Sequence, residues 1–314
     1  VEDDRALIVV AVGGNALLRR GQPPDLATQL ANVRAAAASL AGLADGHRLA
    51  ITHGNGPQVG LLAARSESSG HPAPLDVLDA ETQGQIGYLL MIELANAMAP
   101  RPVVTVLTQV DVEPDDPAFA HPTKPIGPVL DRASAARLGR ERGWSMARDG
   151  PGWRRVVPSP EPLGVVELDA VRLLVDSGVV VVCGGGGGIP VRRGADGRRS
   201  GVEAVVDKDL TSALLAGGLS ADQLLLLTDV DAVYDGWGTA DAAPIDRIGV
   251  TDLRSRPLPA GSMGPKAEAA CRFVATGGRA SIGALDEAAD VADGRAGTLV
   301  VPDGPGPAAA LVAR

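Results

Sequence analysis

Lysine is nearly absent from this chain. The sequence has 314 residues and 29 basic Lys and Arg side chains, but only three of these are lysine: Lys124, Lys208 and Lys266. Aromatic residues are also scarce, at 2%, too few for a base-stacking surface. The net charge of −9 opposes the basic footprint of a nucleic-acid binder. No apolar run approaches the roughly 18 residues that a membrane helix requires. The opening VEDDR is acidic, the wrong sign for a secretory signal or transit peptide. Cys183 and Cys271 form no C-x-x-C pair and no disulfide framework, so a reducing cytoplasm is the expected location. His47, His53, His71 and His121 lack metal-ligand spacing, and no dedicated metal site is expected.

What is present is globular. Apolar residues make up 45% of the chain, and the length suffices for one large domain or two lobes with a well-buried core. A coding bias towards Ala, Arg, Gly and Pro accounts for arginine as the surface cation. It does not account for where lysine survives. Lysine is a compact point charge on a flexible stem, arginine a planar fork, so the three lysines are the first candidates for chemistry.

Apolar strands alternate with helical patterns. ALIVVAV, RLAIT (48–52), PVVTVLTQV (102–110), VVVVC, QLLLLTDV, RASIGAL and GTLVV read as strands. Helices are predicted over 27–44 and 75–99, and in VELDAVRLLVDSG, DKDLTSALLAGG, PKAEAACRFVATGG and DEAADVADG. The alternation predicts an α/β fold, an open and mainly parallel sheet sandwiched by helices. Such sheets bind ligands at the carboxyl ends of their strands. Glycine clusters follow those ends at 13–14, 54–56 and 184–188. The five consecutive glycines 184–188 read better as a backbone working surface than as a slack loop. Gly13, Gly14 and Gly54 are expected to present bare N–H groups to an anion. Residues 113–162, rich in Pro and Arg and holding Trp144 and Trp153, read as a small inserted, protruding subdomain of a single 1–314 domain. Lys124 stands near its start between Pro122 and Pro125, which fix the local backbone.

Two phosphate-binding devices are absent. No lysine follows a glycine, which removes the P-loop, and GNGPQVG departs from G-x-G-x-x-G by one residue and a proline. TDVDAVYDG carries Asp229, Asp231 and Asp235 at partly calcium-like spacing but lacks the full loop, so a strand-end nucleotide loop is the better reading.

Taken in order, VVAVGGNALL, THGNGPQVG, ETQGQIGYLL, PTKPIGP, RRVVPSP, GGGGIPV, VVDKDLTSALLA, TDVDAVY and GSMGPK resemble the carbamate kinase branch of the amino acid kinase family, from about Ile8 to Val300. The resemblance implies a homodimeric enzyme of the amino acid kinase fold that transfers phosphate between ATP and carbamate with Mg²⁺. It implies that Lys124, Lys208 and Lys266 serve the phosphoryl group and that Asp209 orients Lys208 and Lys266. It assigns Gly13, Gly14, Asn15, Gly54 and Asn55 to the small-substrate cradle, in the N-terminal half. It assigns Gly185, Gly186, Asp229, Val230, Tyr234, Met263 and Gly264 to the nucleotide, in the part from about 184 to 314. The wider family commonly carries lysine at the position of Ala11; carbamate kinases lack it, and the inserted subdomain supplies the charge through Lys124.

The chemistry agrees with these residue types. Phosphoryl transfer needs positioning and charge neutralisation more than covalent help. Three ammonium groups with Mg²⁺ held mainly by the nucleotide phosphates can neutralise an in-line transfer, and an anionic carbamate oxygen needs no strong general base. Plainer roles compete at several positions. Asp209 near a helix start can serve the helix dipole, His53 can support its loop, Cys183 can be core, and Arg154–Arg155 a solvated face. The rival functions are a relative acting on a larger acid, such as acetylglutamate kinase, and a non-catalytic regulatory relative. Ala11 and Lys124 oppose the first, and the full set of lysines with Asp209 opposes the second.

Overall fold

Leu7–Val12 is apolar at every position and buried throughout. Leu7, Val9 and Ala11 enter one hydrophobic core, while Ile8, Val10 and Val12 enter another on the opposite face. A continuous apolar strand has this character when helices cover its sheet on both sides. The computed structural model describes residues 3–18, 22–23, 25–55, 58–68, 70–259 and 261–304, without the side chains of residues 15, 16 and 68.

The central sheet has eight strands, in the order Arg247–Gly249, Thr298–Val301, Arg279–Ala284, Gln223–Thr228, Leu7–Val12, Arg48–His53, Val180–Val182 and Val103–Thr105. Pairing is parallel except between Arg279–Ala284 and Thr298–Val301. Helices Leu26–Ala44 and Leu75–Ala97 cover one face through Val33, Leu40, Ile86, Leu90 and Leu94. Leu168–Asp176, Lys208–Gly218 and Met263–Ala275 cover the other through Val171, Val175, Leu215, Ala270 and Phe273. No described helix is long and apolar enough to cross a membrane.

The run 102–110 is not one strand. Val103–Thr105 ends the central sheet, and Gln109–Val112 joins a second sheet of four strands with Arg199–Gly201, Ile189–Arg193 and Pro162–Val165. The break has a local cause. Gln83 engages both backbone groups of Thr108, accepting from its N–H at 2.8 Å and donating to its carbonyl at 3.0 Å, and that carbonyl also accepts from Ile189 N–H at 2.8 Å. The segment 180–193 makes the same transfer alongside, and the two chains pair in parallel in both sheets. In that second chain the crossing is the five-glycine turn.

Between the strands Gln109–Val112 and Pro162–Val165 lies a third sheet, antiparallel, of Lys124–Leu130, Gly152–Val157 and Met146–Asp149, with the helix Arg132–Arg142. Ile126 and Val157 from this sheet pack with Val59, Ala63, Leu75 and Leu78 in a small apolar cluster. The helix Gln58–Ser68, which the sequence pattern did not reveal, provides part of that seat.

Candidate active site

Four consecutive strands of the central sheet run parallel and end on one edge. Their carboxyl ends deliver Asp229, Gly13–Gly14, Gly54–Asn55 and the turn Gly184–Gly188, in that spatial order. The predicted cradle and part of the predicted nucleotide loop are therefore neighbours. A Cβ on Gly13 would lie 3.2 Å from Leu227 O, and one on Gly54 only 2.7 Å from Gly14 N.

The five-glycine turn is packed, not slack. All five residues are buried, and Gly184, Gly186, Gly187 and Gly188 have φ of +58°, +67°, +107° and +90°, which L side chains rarely adopt. Space is equally restrictive. A Cβ at Gly185 would meet His53 Nε2 at 2.4 Å, at Gly186 Asn55 Nδ2 at 2.6 Å, and at Gly187 Val206 O at 2.4 Å. Thr211 donates its hydroxyl to Gly187 O at 2.7 Å, tying the turn to the helix Lys208–Gly218.

The expectation of bare N–H groups requires correction at two of three positions. Gly13 N–H donates to Leu227 O at 2.9 Å and Gly54 N–H to Val12 O at 3.0 Å, because both continue the parallel ladder. Gly14 differs, since it opens the short helix Gly14–Leu17, where N–H groups have no intrahelical acceptor. Gly185 and Gly186 stand likewise at the start of a 3-10 turn. The side chain of Asn15 lies outside the described residues. Asn55 is buried and donates its amide to Asp79 Oδ1 at 3.1 Å.

The three lysines converge on two carboxylates. Lys208 Nζ lies 2.8 Å from Asp209 Oδ1, and Lys266 Nζ donates to Asp209 Oδ2 at 3.1 Å. Lys208, Asp209 and Lys266 are all buried. Burial works against the charge on Asp209, but the two ammonium groups override it and hold the carboxyl well below the ordinary carboxylate range. Burial pushes Lys208 down, Asp209 pulls it back, and Lys266 adds to the fall. The Lys208–Asp209 contact is a close ion pair, and the ammonium group has three donors, so it keeps donors beyond the one that faces Asp209.

Lys124 arrives from the inserted sheet, half-buried, with Nζ 2.5 Å from Asp207 Oδ2. Asp207 divides its oxygens. Oδ1 accepts from the N–H groups of Asp209 and Leu210 and caps the helix that carries Lys208, as aspartate does at helix N-termini. Asp207 was not singled out in the sequence, although an aspartate directly before a helical run is an N-cap signal.

The remaining predicted nucleotide residues cluster after the strand Gln223–Thr228 and at the start of Met263–Ala275. Asp229 is exposed and accepts from Thr228 Oγ1 at 3.0 Å, and Val230 follows it half-buried. Tyr234 donates to the Asp231 carboxylate at 3.0 Å and meets Trp237 edge-on, with centroids 5.2 Å apart. Met263 packs on the core, and Gly264 N–H donates to Pro259 O at 2.9 Å. His53 is buried with its imidazole pushed down to about 4 by desolvation. Its Nδ1 lies 3.1 Å from Gly54 O, which can only accept, so Nδ1 carries the proton and the ring supports the loop. Cys183 is core, its thiol raised by burial to about 12.

A parallel α/β sheet with lysine–carboxylate pairs and a tight glycine turn at one strand-end edge is the arrangement of a phosphotransferase. The sequence profile of the amino acid kinase family matches residues 6–282, and the chain belongs to that family. The carbamate kinase of Rhizobium meliloti (strain 1021) is 48% identical over 299 residues, covering 93% of this chain and 92% of that protein. The solved carbamate kinase of Giardia lamblia bound to citric acid matches with a TM-score of 0.90 at 37% identity, over 96% of this chain and 99% of that one. The same Giardia enzyme bound to AMP-PNP matches at 0.86 and 37%, over 96% of this chain and 99% of that one. Within the family, the chain falls among the carbamate kinases.

Proposed function

We propose that this chain is an ATP-dependent phosphotransferase that interconverts ADP and carbamoyl phosphate with ATP and carbamate. The observation that carries the reading is the lysine constellation: Lys208 and Lys266 on Asp209, and Lys124 on Asp207, the carboxylate that caps the helix of Lys208 and Asp209. In the direction of ATP synthesis, the bond between phosphorus and the carbamate oxygen breaks, and carbamate leaves with the electron pair. A β-phosphate oxygen of ADP forms the new bond to phosphorus. Both oxygens are anionic, so no proton moves in the step, and the burden on the protein is to position reactants and neutralise charge.

Lys208 and Lys266, held by Asp209, neutralise the phosphoryl oxygens, and Lys124 approaches from the inserted sheet. Gly13, Gly14, Asn15, Gly54 and Asn55 cradle carbamate. Gly185, Gly186, Asp229, Val230, Tyr234, Met263 and Gly264 serve the nucleotide; that a relative of this fold was solved bound to AMP-PNP supports nucleotide binding by the fold. Mg²⁺ would ride with the nucleotide phosphates, where such ions keep most of their water. Asp207 and Asp209 are already committed to lysines, and no group of three or more His, Cys, Asp or Glu among the described residues forms a dedicated metal cage. The enzyme would act as a cytoplasmic homodimer.

The deciding assay is ATP formation from ADP and carbamoyl phosphate. ATP-dependent phosphorylation of N-acetylglutamate or aspartate in its place would move the chain to a different acceptor class.

A further inference from the structure

Asp79 lies on the helix Leu75–Ala97 and is 1% exposed. Oδ1 accepts from the Asn55 amide, while Oδ2 finds no donor. On its other side the Asn55 amide abuts Gly186 so closely that a Cβ there would fall 2.6 Å from Nδ2. The amide is thus clamped between a carboxyl group and the five-glycine turn. An acceptor at Oδ1 dictates which way that amide faces, because only its nitrogen can donate.

We propose that Asp79 is a positioning residue that fixes the Asn55 amide in the substrate cradle and makes the cradle sensitive to the charge on one buried carboxyl group. The proposal rests on the assignment of Asn55 to the cradle made above. Geometry favours the neutral acid, since a carboxylate oxygen buried without a donor is costly. The charged groups that bear on it point the same way on balance. Burial, Asp76 on the same helix and Glu203 in the segment before Asp207 push the carboxyl well above the ordinary range, against Asn55 and Lys124. His53, beside the turn, is neutral. Ionisation at alkaline pH would place a negative charge beneath the cradle, near Lys124 and an anionic substrate.

The test uses the full chain, as wild type, D79N and D79L. D79N keeps an acceptor and cannot ionise; D79L removes the acceptor at similar size. Wild-type kcat/KM for carbamoyl phosphate is expected to fall towards alkaline pH along a limb that D79N lacks or carries at higher pH. D79L is expected to raise KM for carbamoyl phosphate about tenfold, the scale of one positioning hydrogen bond, with KM for ADP within about twofold. The infrared band of a protonated carboxyl group at neutral pH is expected to disappear in D79N. Superimposable pH profiles for wild type and D79N overturn the proposal, as does an unchanged infrared band or an equal rise in both KM values. If D79L does not fold, wild type against D79N decides. If wild type turns over no carbamoyl phosphate, the functional reading fails. Asp79 is then judged by the infrared band and by thermal stability, which must fall relative to D79N as pH rises because the native state holds the proton more tightly.

Discussion

Gly60 and Gly127 meet backbone to backbone: a Cβ on Gly60 would lie 1.9 Å from the Gly127 nitrogen. This contact seats the inserted sheet on the helix Gln58–Ser68, and Lys124 lies three residues before Gly127 on the same strand. Gly60→Ala should therefore displace the sheet and cut kcat by about a hundredfold, the scale of losing one phosphoryl contact, while the central domain stays folded. Gly127→Ala should behave differently, because its Cβ would meet only ordinary contacts, at 3.8 Å, and its φ of +72° adds strain. That strain is worth about 1–2 kcal/mol. Circular dichroism melts and kcat for both variants check the contrast.

Asp207 serves two partners, and two substitutions separate them. Asn is as good an N-cap as Asp, whereas Ala loses the cap at about 1 kcal/mol. Asp207→Asn should keep the melting temperature but release Lys124, and Asp207→Ala should lower both stability and turnover. Lys124→Ala should reduce kcat far more than ADP affinity. Steady-state kinetics with calorimetric ADP binding measure the split, and a Lys124→Ala enzyme with normal kcat and weakened ADP binding would make the inserted sheet a nucleotide clamp.

Lys208→Arg and Lys266→Arg keep charge and change shape. Both ammonium groups sit buried against one carboxylate, at 2.8 and 3.1 Å from its oxygens, where a planar fork does not fit. Each variant should lose roughly a hundredfold or more in kcat. Turnover within a few-fold of wild type would mean that positive charge alone suffices at these positions.

His53 gives a stability prediction with a definite sign. Its folded pKa, about 4, lies below the ordinary 6.5 because burial disfavours the charged ring. The unfolded chain therefore binds more protons in that window, and stability falls as pH drops from 6.5 to about 4. The full effect is on the order of 3 kcal/mol. Urea melts of wild type against His53→Asn across this range should show wild type losing stability relative to the variant as pH falls, the difference cancelling the carboxyl groups common to both.

The sequence by itself determined the alternation of strands and helices, because a strand buried on both faces must be apolar throughout and an amphipathic helix must repeat its apolar positions. It also marked Lys124, Lys208 and Lys266, because a chain that otherwise uses arginine keeps lysine only where shape matters. The resemblance carried by its motifs pointed to Asp209 as the partner of Lys208 and Lys266, but tertiary structure alone decided which group Lys124 meets. Asp207 is 83 residues from Lys124, and no local pattern links an inserted strand to a helix cap. Gln83 breaking the 102–110 run, and Asp79 beneath Asn55, are likewise invisible in one dimension, since each depends on which face of a helix the packed sheet receives. The glycine turns divide the same way. Sequence placed them at strand ends. Only the folded ladder shows that the N–H groups of Gly13 and Gly54 are already bonded, because parallel hydrogen bonding runs one residue past the strand ends at Val12 and His53.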